Sequence, residues 1–488
     1  MIAYIKKPFV LVIAIYCSGI LMAQTSDDQF RMPLKTVLTE IEQRYGIKMQ
    51  YGEEMVKDKW VNYARWRYRP DAETTLSNIL SPLDMAVNKT GDKRYKLKYF
   101  EYHRLTPEEG KARLDYLASH YSNAQQWEQR RDSLKKCMWE ALQLSPLPPA
   151  PTGKPIIVSK RSMDGYSIEN IAFEVLPGLY IAGSLYRPLK VKSKIPIVLC
   201  PDGHWAQHRY RADCQLRCAT LARMGCMAIS YDLFAWGESL LQFKSEDHRR
   251  ALAMTVQALG TIRILDYLLT LKEADSSRVA ISGGSGGGSH TMLITALDNR
   301  IKLSVPVVML SSYHSGGCPC ESGMPIHLCG GGTANPEIAA MAAPRPQLVI
   351  SDGKDWTDQV PQTEFPYLQK MYGYYGKTDQ VENVHLPEEG HDFGVNKRQL
   401  LYLFIAKHFK LDIASQLDAA GKVDESKVTI EPETALLVFG PKGEHLPANA
   451  IKGFEQLKAM FIHQFQDCSS KPDKRCNKNE QLRRLPDN

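Results

Sequence analysis

The chain has 488 residues, 43% hydrophobic and 24% charged, which is enough for a sizeable core and more than one domain. Its formal charge of +7 includes Lys6 and Lys7 of an N-terminal targeting segment. The remaining excess is mild and dispersed, which excludes a nucleic-acid binder built on a basic stripe. After the first two dozen residues no run is long and apolar enough for a membrane span.

Residues 1–23 read as a signal peptide. Lys6 and Lys7 form the positive region, Phe9 to Met22 the apolar stretch, and Leu21-Met22-Ala23 a cleavage site before Gln24. The stretch is short for a retained anchor. Tyr16 before Cys17 fits a lipoprotein signal poorly. The expected location is the periplasm or the medium. Loss of Cys17 from the 11 cysteines leaves an even number, which suggests disulfides in an exported chain. Cys468 and Cys476 form a local pair. Cys214, Cys218 and Cys226 form one cluster, and Cys318, Cys320 and Cys329 another, with connectivity open.

Residues 28–99 read as a small α+β module. Pro33 to Ile41 and Asp71 to Leu80 have helical periodicity. Ile47–Tyr51, Met85–Lys89 and Arg94–Lys98 read as strands. The opening "PL..VL..I...YGI...Y" and the closing "TTL..IL..L.M.....G...Y.L" resemble the secretin/TonB short N-terminal domain. That resemblance implies an interaction module, with an envelope protein as its partner, and no catalysis.

Residues 105–150 read as a helical linker, opened by a capping box of Thr106 and Glu109. Five prolines between Leu144 and Pro155 end it.

From 155 to 412 strands and helices alternate. Leu179–Tyr186 alternates like an antiparallel strand. Pro196–Cys200, Cys226–Ser230, Arg278–Ile281, Leu303–Met309, Pro346–Ile350 and Val381–His385 are short apolar runs, with long helical stretches such as Ala251–Leu271 between them. Buried strands separated by helices predict an α/β fold, a mostly parallel sheet covered on both faces. Ligands bind at the carboxyl ends of such strands. The segment 413–488 reads as an extension with a strand pair at Val428–Ile430 and Ala435–Phe439, a helix near Ile451–Phe465 and a mobile tail.

Chemistry concentrates at Gly283-Gly284-Ser285-Gly286-Gly287. This G-x-S-x-G run follows a strand and opens a helix, the setting of a nucleophile elbow. A serine hydroxyl needs a base, and the base an orienting carboxylate. His391, in Gly390-His391-Asp392, follows the last strand and precedes the last helix. His385 competes with it but falls inside a strand. Asp352, Asp355 and Asp358 follow the strand ending at Ile350. Asp352 lies too close to that strand, so Asp355 is the expected acid and Asp358 the runner-up. The oxyanion hole is expected from the N–H groups of Gly286 and of His204 or Trp205, in Pro201-Asp202-Gly203-His204-Trp205. Trp205, Trp236 and Trp356 lie on loops after strands, where aromatic faces can stack on sugars.

The order Ser, acid, His and the elbow resemble the α/β-hydrolase superfamily. Cys318-Pro319-Cys320-Glu321, Asn335-Pro336-Glu337, Ala343-Pro344-Arg345-Pro346 and Asp352-Gly353-Lys354-Asp355-Trp356-Thr357 resemble acetyl xylan esterase-like carbohydrate esterases of Bacteroidetes. The resemblance implies an exported serine esterase that removes acyl groups, acetyl first, from a polysaccharide or oligosaccharide. Two other readings are a serine peptidase of the same fold and a catalytically silent glycan-binding protein. His314, Cys318, Cys320, His327 and Cys329 have spacings that can hold zinc. In an oxidising compartment a disulfide is the expected use of these cysteines, with no metal and no cofactor.

Overall fold

The computed structural model describes residues 30–99, 105–321 and 326–469. The expected signal peptide at 1–23 with Cys17, the side chain of Cys468, Cys476 and the tail after Ser469 lie outside the described residues. The chain divides into two compact units, Met1–Phe100 and Glu101–Asn488. Among the described residues no helix is long and apolar enough to cross a membrane.

In the first unit the helix Leu34–Tyr45 buries Leu34, Val37, Leu38 and Ile41, one stripe at helical spacing, and closes on Gly46 at φ 61°. Asp71 caps the helix Ala72–Leu80 by accepting from the Thr74 N–H. Strands Lys48–Gln50, Arg94–Tyr99 and Met85–Gly91 form one sheet in that spatial order. Arg31–Pro33 pairs antiparallel with Trp60–Asn62. At three residues each, this pair is too short to show a period in sequence.

The second unit is built on a nine-stranded sheet. Its strands in chain order are β1 (Ile156–Ser162), β2 (Tyr166–Leu176), β3 (Leu179–Pro188), β4 (Ile195–Pro201) and β5 (Met227–Tyr231). After these come β6 (Ala274–Gly284), β7 (Leu303–Val307), β8 (Gln347–Asp352) and β9 (Val381–Leu386). The spatial order is β9-β8-β7-β6-β4-β5-β3-β2-β1. From β9 to β5 all neighbours are parallel, and β3, β2 and β1 add an antiparallel edge.

Residues alternate between two cores along each central strand. Ile197, Leu199, Val279 and Ile281 face a core shared with the helices Ala253–Leu268 and Gly286–Leu297. Val198, Cys200 and Ala280 face the opposite core, shared with Ala212–Arg223 and Val395–Phe409. This is the α/β-hydrolase arrangement, with the carboxyl ends of β4, β6, β7 and β8 along one edge.

Two expectations change, and two strands join that the sequence did not show. The helices Pro107–Ala118 and Ala124–Ala141 belong to this unit and are not a separate linker. Trp127, Leu134 and Met138 enter its core, and Arg130 Nε donates to Glu337 Oε1 (2.9 Å). β1 and β2 were not legible: β1 is a largely exposed edge strand, and β2 carries buried polar residues. Glu169 pairs with Arg187 and Lys160, and Asn170 Nδ2 donates to Ala435 O and Leu437 O. No strand pair forms over 428–439 either. That segment holds a short helix, Glu433–Leu436, with irregular chain on both sides.

A buried charge cluster, not a sheet ladder, fixes the extension. Arg209 is fully buried; it donates to Asp232 Oδ1 (2.9 Å), Glu238 Oε2 (2.5 Å) and Leu436 O (3.2 Å). Glu238 Oε1 accepts from the Val438 and Phe439 N–H groups (2.8 and 2.7 Å). Arg209→Met would leave two buried carboxylates without their cation. It is expected to lower stability by about 3–5 kcal/mol, read as a fall in the thermal midpoint. An unchanged midpoint would contradict this account.

Candidate active site

Ser285 sits between β6 and the helix Gly286–Leu297 at φ 56°, ψ −126°, a region that non-glycine residues rarely adopt. Its N–H donates to Val307 O at the end of β7 (3.1 Å). Two glycines permit the turn. A Cβ on Gly283 would lie 2.5 Å from Pro201 O, and one on Gly287 also 2.5 Å from that oxygen. Only backbone without side chain fits between β4 and the elbow. The helix begins on Gly286, so its N-terminal N–H groups point toward the serine.

The loop after β4 lies on the elbow. A Cβ on Gly203 would stand 2.5 Å from Gly284 O, and the His204 ring covers Gly286. The Trp205 N–H turns back to Gly203 O (3.0 Å). Of the two candidate second donors this leaves the His204 N–H as the better placed. The Trp205 ring stacks beside His391 with centroids 6.0 Å apart, and the Arg211 guanidinium covers its other side. Arg211 is held by Asp202 and Asp213.

His391 Nδ1 donates to Asp355 Oδ2 (2.9 Å). Asp355 Oδ1 accepts from the Thr357 N–H and hydroxyl (2.7 and 2.5 Å), so one carboxylate oxygen is anchored while the other faces the ring. Asp358 is engaged elsewhere, accepting from the Tyr313 hydroxyl (2.7 Å). Asp352 is buried against Lys397 Nζ (3.0 Å), and its burial pushes its pKa up to about 6. The same ammonium donates to Gly390 O (2.9 Å) and pairs with Asp392, which fixes both sides of His391. His385 stays in β9, bonded through Nδ1 to Ser351 Oγ (3.0 Å).

Phe393 and Trp205 both meet the position of a Gly284 Cβ at 3.0 Å, so the His391 loop closes on the elbow. Trp356 packs on His391 from another side, with centroids 4.3 Å apart. Trp236 lies among His204, His208 and His248, a packing position and not an open platform.

Glu321 was named in sequence only as part of a pattern. It is buried, with Oε1 accepting from the Gly317 N–H (3.0 Å) and lying 3.5 Å from His204 Nδ1. Burial raises its pKa to about 7. His248 carried no sequence signal. Its ring approaches His204, with Nε2 atoms 2.7 Å apart, and its Nδ1 donates to Phe234 O. Burial lowers the two imidazoles to about 4 for His204 and about 3 for His248. Cys318 and Cys320 are joined as a disulfide beside these rings. Cys214, Cys218, Cys226 and Cys329 are buried free thiols. His327 bonds Asn335 and His314 packs on Trp356, so neither joins the histidine pair.

The chain is similar to several proteins of known structure. A solved structure named Methylesterase BT1017 is 48% identical, with a TM-score of 0.72, over 92% of this chain and 100% of that one. The chain belongs to the family of that methylesterase. It is an esterase of the α/β-hydrolase fold. A family model described as glucuronyl esterase of fungi matches residues 243–320. A glucuronoyl esterase from Solibacter usitatus is 16% identical, with a TM-score of 0.43, over 58% of this chain and 93% of that one. An acetyl xylan esterase from Paenibacillus sp. R4 is 17% identical, with a TM-score of 0.38, over 59% and 95%. No curated protein sequence matches.

The carboxylate geometry of this esterase separates two variants. Asp355→Asn is expected to lower kcat on a small activated ester by about 10⁴-fold, through the wrong histidine tautomer. Asp358→Asn should stay within about tenfold of the parent. The opposite ranking in steady-state kinetics would move the acid to Asp358.

Proposed function

We propose that the chain hydrolyses the methyl ester of a sugar-acid carboxyl group in an exported glycan-degrading role, with Ser285 as nucleophile, His391 as base and Asp355 as its orienting acid. The observation that carries the ester type is the near full-length likeness to a methylesterase at 48% identity. The glucuronyl esterase match over 243–320 supports a uronic acid as the acyl part. Arg249 lies in that matched segment and donates through Nη1 to Gly317 O (3.1 Å), on the loop whose Glu321 lies against Gly286, so a cation stands near the elbow. Acidic neighbours of the esterified sugar would be drawn there.

In this reading His391 Nε2 takes the Ser285 proton as Oγ attacks the ester carbonyl. The oxygen that becomes negative is met by the Gly286 and His204 N–H groups. Collapse of the tetrahedral intermediate breaks the C–O bond to the methoxy group, and His391 returns the proton so that methanol leaves. The sugar acid remains as the acyl group on Ser285. Water, deprotonated by His391, then attacks that ester, and Ser285 regains its proton as the free carboxylate departs. Asp355 holds Nδ1–H throughout and offsets the imidazolium charge. Trp205 and Trp356 pack against the histidine ring and hold its orientation.

An acetyl ester would reverse the roles, since acetate would ride on Ser285 and the sugar would leave first. Incubation with methyl-esterified polyuronide and with acetylated xylan distinguishes the two. Methanol release from the first, lost by 10³-fold or more in Ser285→Ala, is expected. Acetate release from the second without methanol from the first would reassign the ester.

A further inference from the structure

We propose that His204, His248, Cys318 and Cys320 form a metal site of the zinc class, with four protein ligands, beside the catalytic elbow. Their donor atoms all lie within 4.8 Å of one another. They come from three separate segments: the loop after β4, the turn Ser245–Arg249 and the loop after β7. Cys320 Sγ is 3.2 Å from His204 Nε2, and Cys318 Sγ is 3.6 Å from both Nε2 atoms.

The ring orientations point the same way. His248 Nδ1 faces Phe234 O, which only accepts, so that nitrogen carries the proton and Nε2 presents a lone pair. His204 Nδ1 faces the Glu321 carboxyl, with Oε1 at 3.5 Å, and the Gly317 N–H fixes that oxygen from behind. A carbonyl or carboxylate on Nδ1 with Nε2 turned inward is the usual support of a metal-bound imidazole. A hydrogen bond between the two rings would satisfy them without sulfur. It gives no reason for two cysteine sulfurs to converge on the same two nitrogens.

Two sulfurs and two imidazole nitrogens in a tetrahedral set select zinc over hard cations. Two thiolates and two neutral rings around a divalent ion sum to zero charge, which suits a buried position. Loading converts two thiols and one M²⁺ into a bis-thiolate complex and releases two protons. The nascent chain carries both cysteines as thiols, so loading needs no reductant. The Cys318–Cys320 disulfide is the alternative fate of the same sulfurs. It forms only when an oxidant, such as another disulfide, removes two electrons and the two thiol protons. With all four positions taken by protein, the ion is structural. It ties the segment carrying the His204 N–H to the loop carrying Glu321.

The test uses the full chain purified without chelator under a phosphine reductant. Elemental analysis is expected to find about one zinc per chain. Cobalt(II) substitution should give the visible bands of a tetrahedral thiolate-bound ion. His248→Ala and Cys320→Ser should each lose most of the metal, and an organomercurial should release it from the parent. Where a variant fails to fold, the cobalt spectrum of the parent decides alone. A metal-free parent that gives no cobalt band after refolding with excess metal and reductant would overturn the site. Undiminished metal content in both folded variants would overturn it as well.

Discussion

Ser285 is held in a backbone conformation worth about 1–3 kcal/mol of strain, and the rest of the site depends on that constraint. The strain persists because the surroundings leave no alternative. Its N–H is bonded to Val307 O on β7, while Gly283 and Gly287 press on Pro201 O at the end of β4. Three parallel strands therefore meet at one backbone corner. The corner brings a helix N-terminus and the loop 202–205 to the same side of the serine. Any side chain at Gly283 or Gly287 would push β4 from β6 and separate the serine from the N–H groups it faces.

Asp355 and His391 rest on a second, electrostatic constraint. Lys397 is buried at the start of the helix Val395–Phe409, and Asp352, Glu389 and Asp392 surround it. That cluster ties the end of β8 to the loop holding His391. Thr357 then fixes one oxygen of Asp355, while its hydroxyl also receives the Asp352 N–H. The imidazole is thus located by a chain of short-range bonds across β8, β9 and the helix Val395–Phe409.

The fold was legible in sequence where a local rule dictates the structure. A strand, a glycine-flanked serine and an apolar helix admit few arrangements, and the β-branched runs gave β4 to β9. β1 and β2 were hidden, β1 as a largely exposed edge strand and β2 because burial of Glu169 against Lys160 and Arg187, and of Asn170 against Ala435 O and Leu437 O, breaks the hydrophobic alternation. The extension 428–439 looked like strands from its Val, Ile and Leu content, yet its N–H groups find Glu238 instead of a neighbouring strand. Asp355 and Asp358 could be ranked only weakly, since both lie within reach of the histidine. What distinguishes them is Tyr313, 45 positions from Asp358, whose hydroxyl occupies that carboxylate. His248 carried no motif, and Glu321 appeared only within a longer pattern that gave it no role. Only tertiary packing brings a polar turn and the loop after β7 against His204.

The central claim is that Ser285 carries the sugar-acid half of a methyl ester during turnover. Denaturing mass spectrometry of the enzyme, acid-quenched while turning over a methyl-esterified uronic oligosaccharide, tests it directly. The account predicts an adduct on the Ser285 peptide equal to the oligosaccharide methyl ester less methanol. The adduct should be absent in unreacted enzyme and should decay as product forms. Turnover with no adduct on that peptide, or an adduct on another residue, would contradict it.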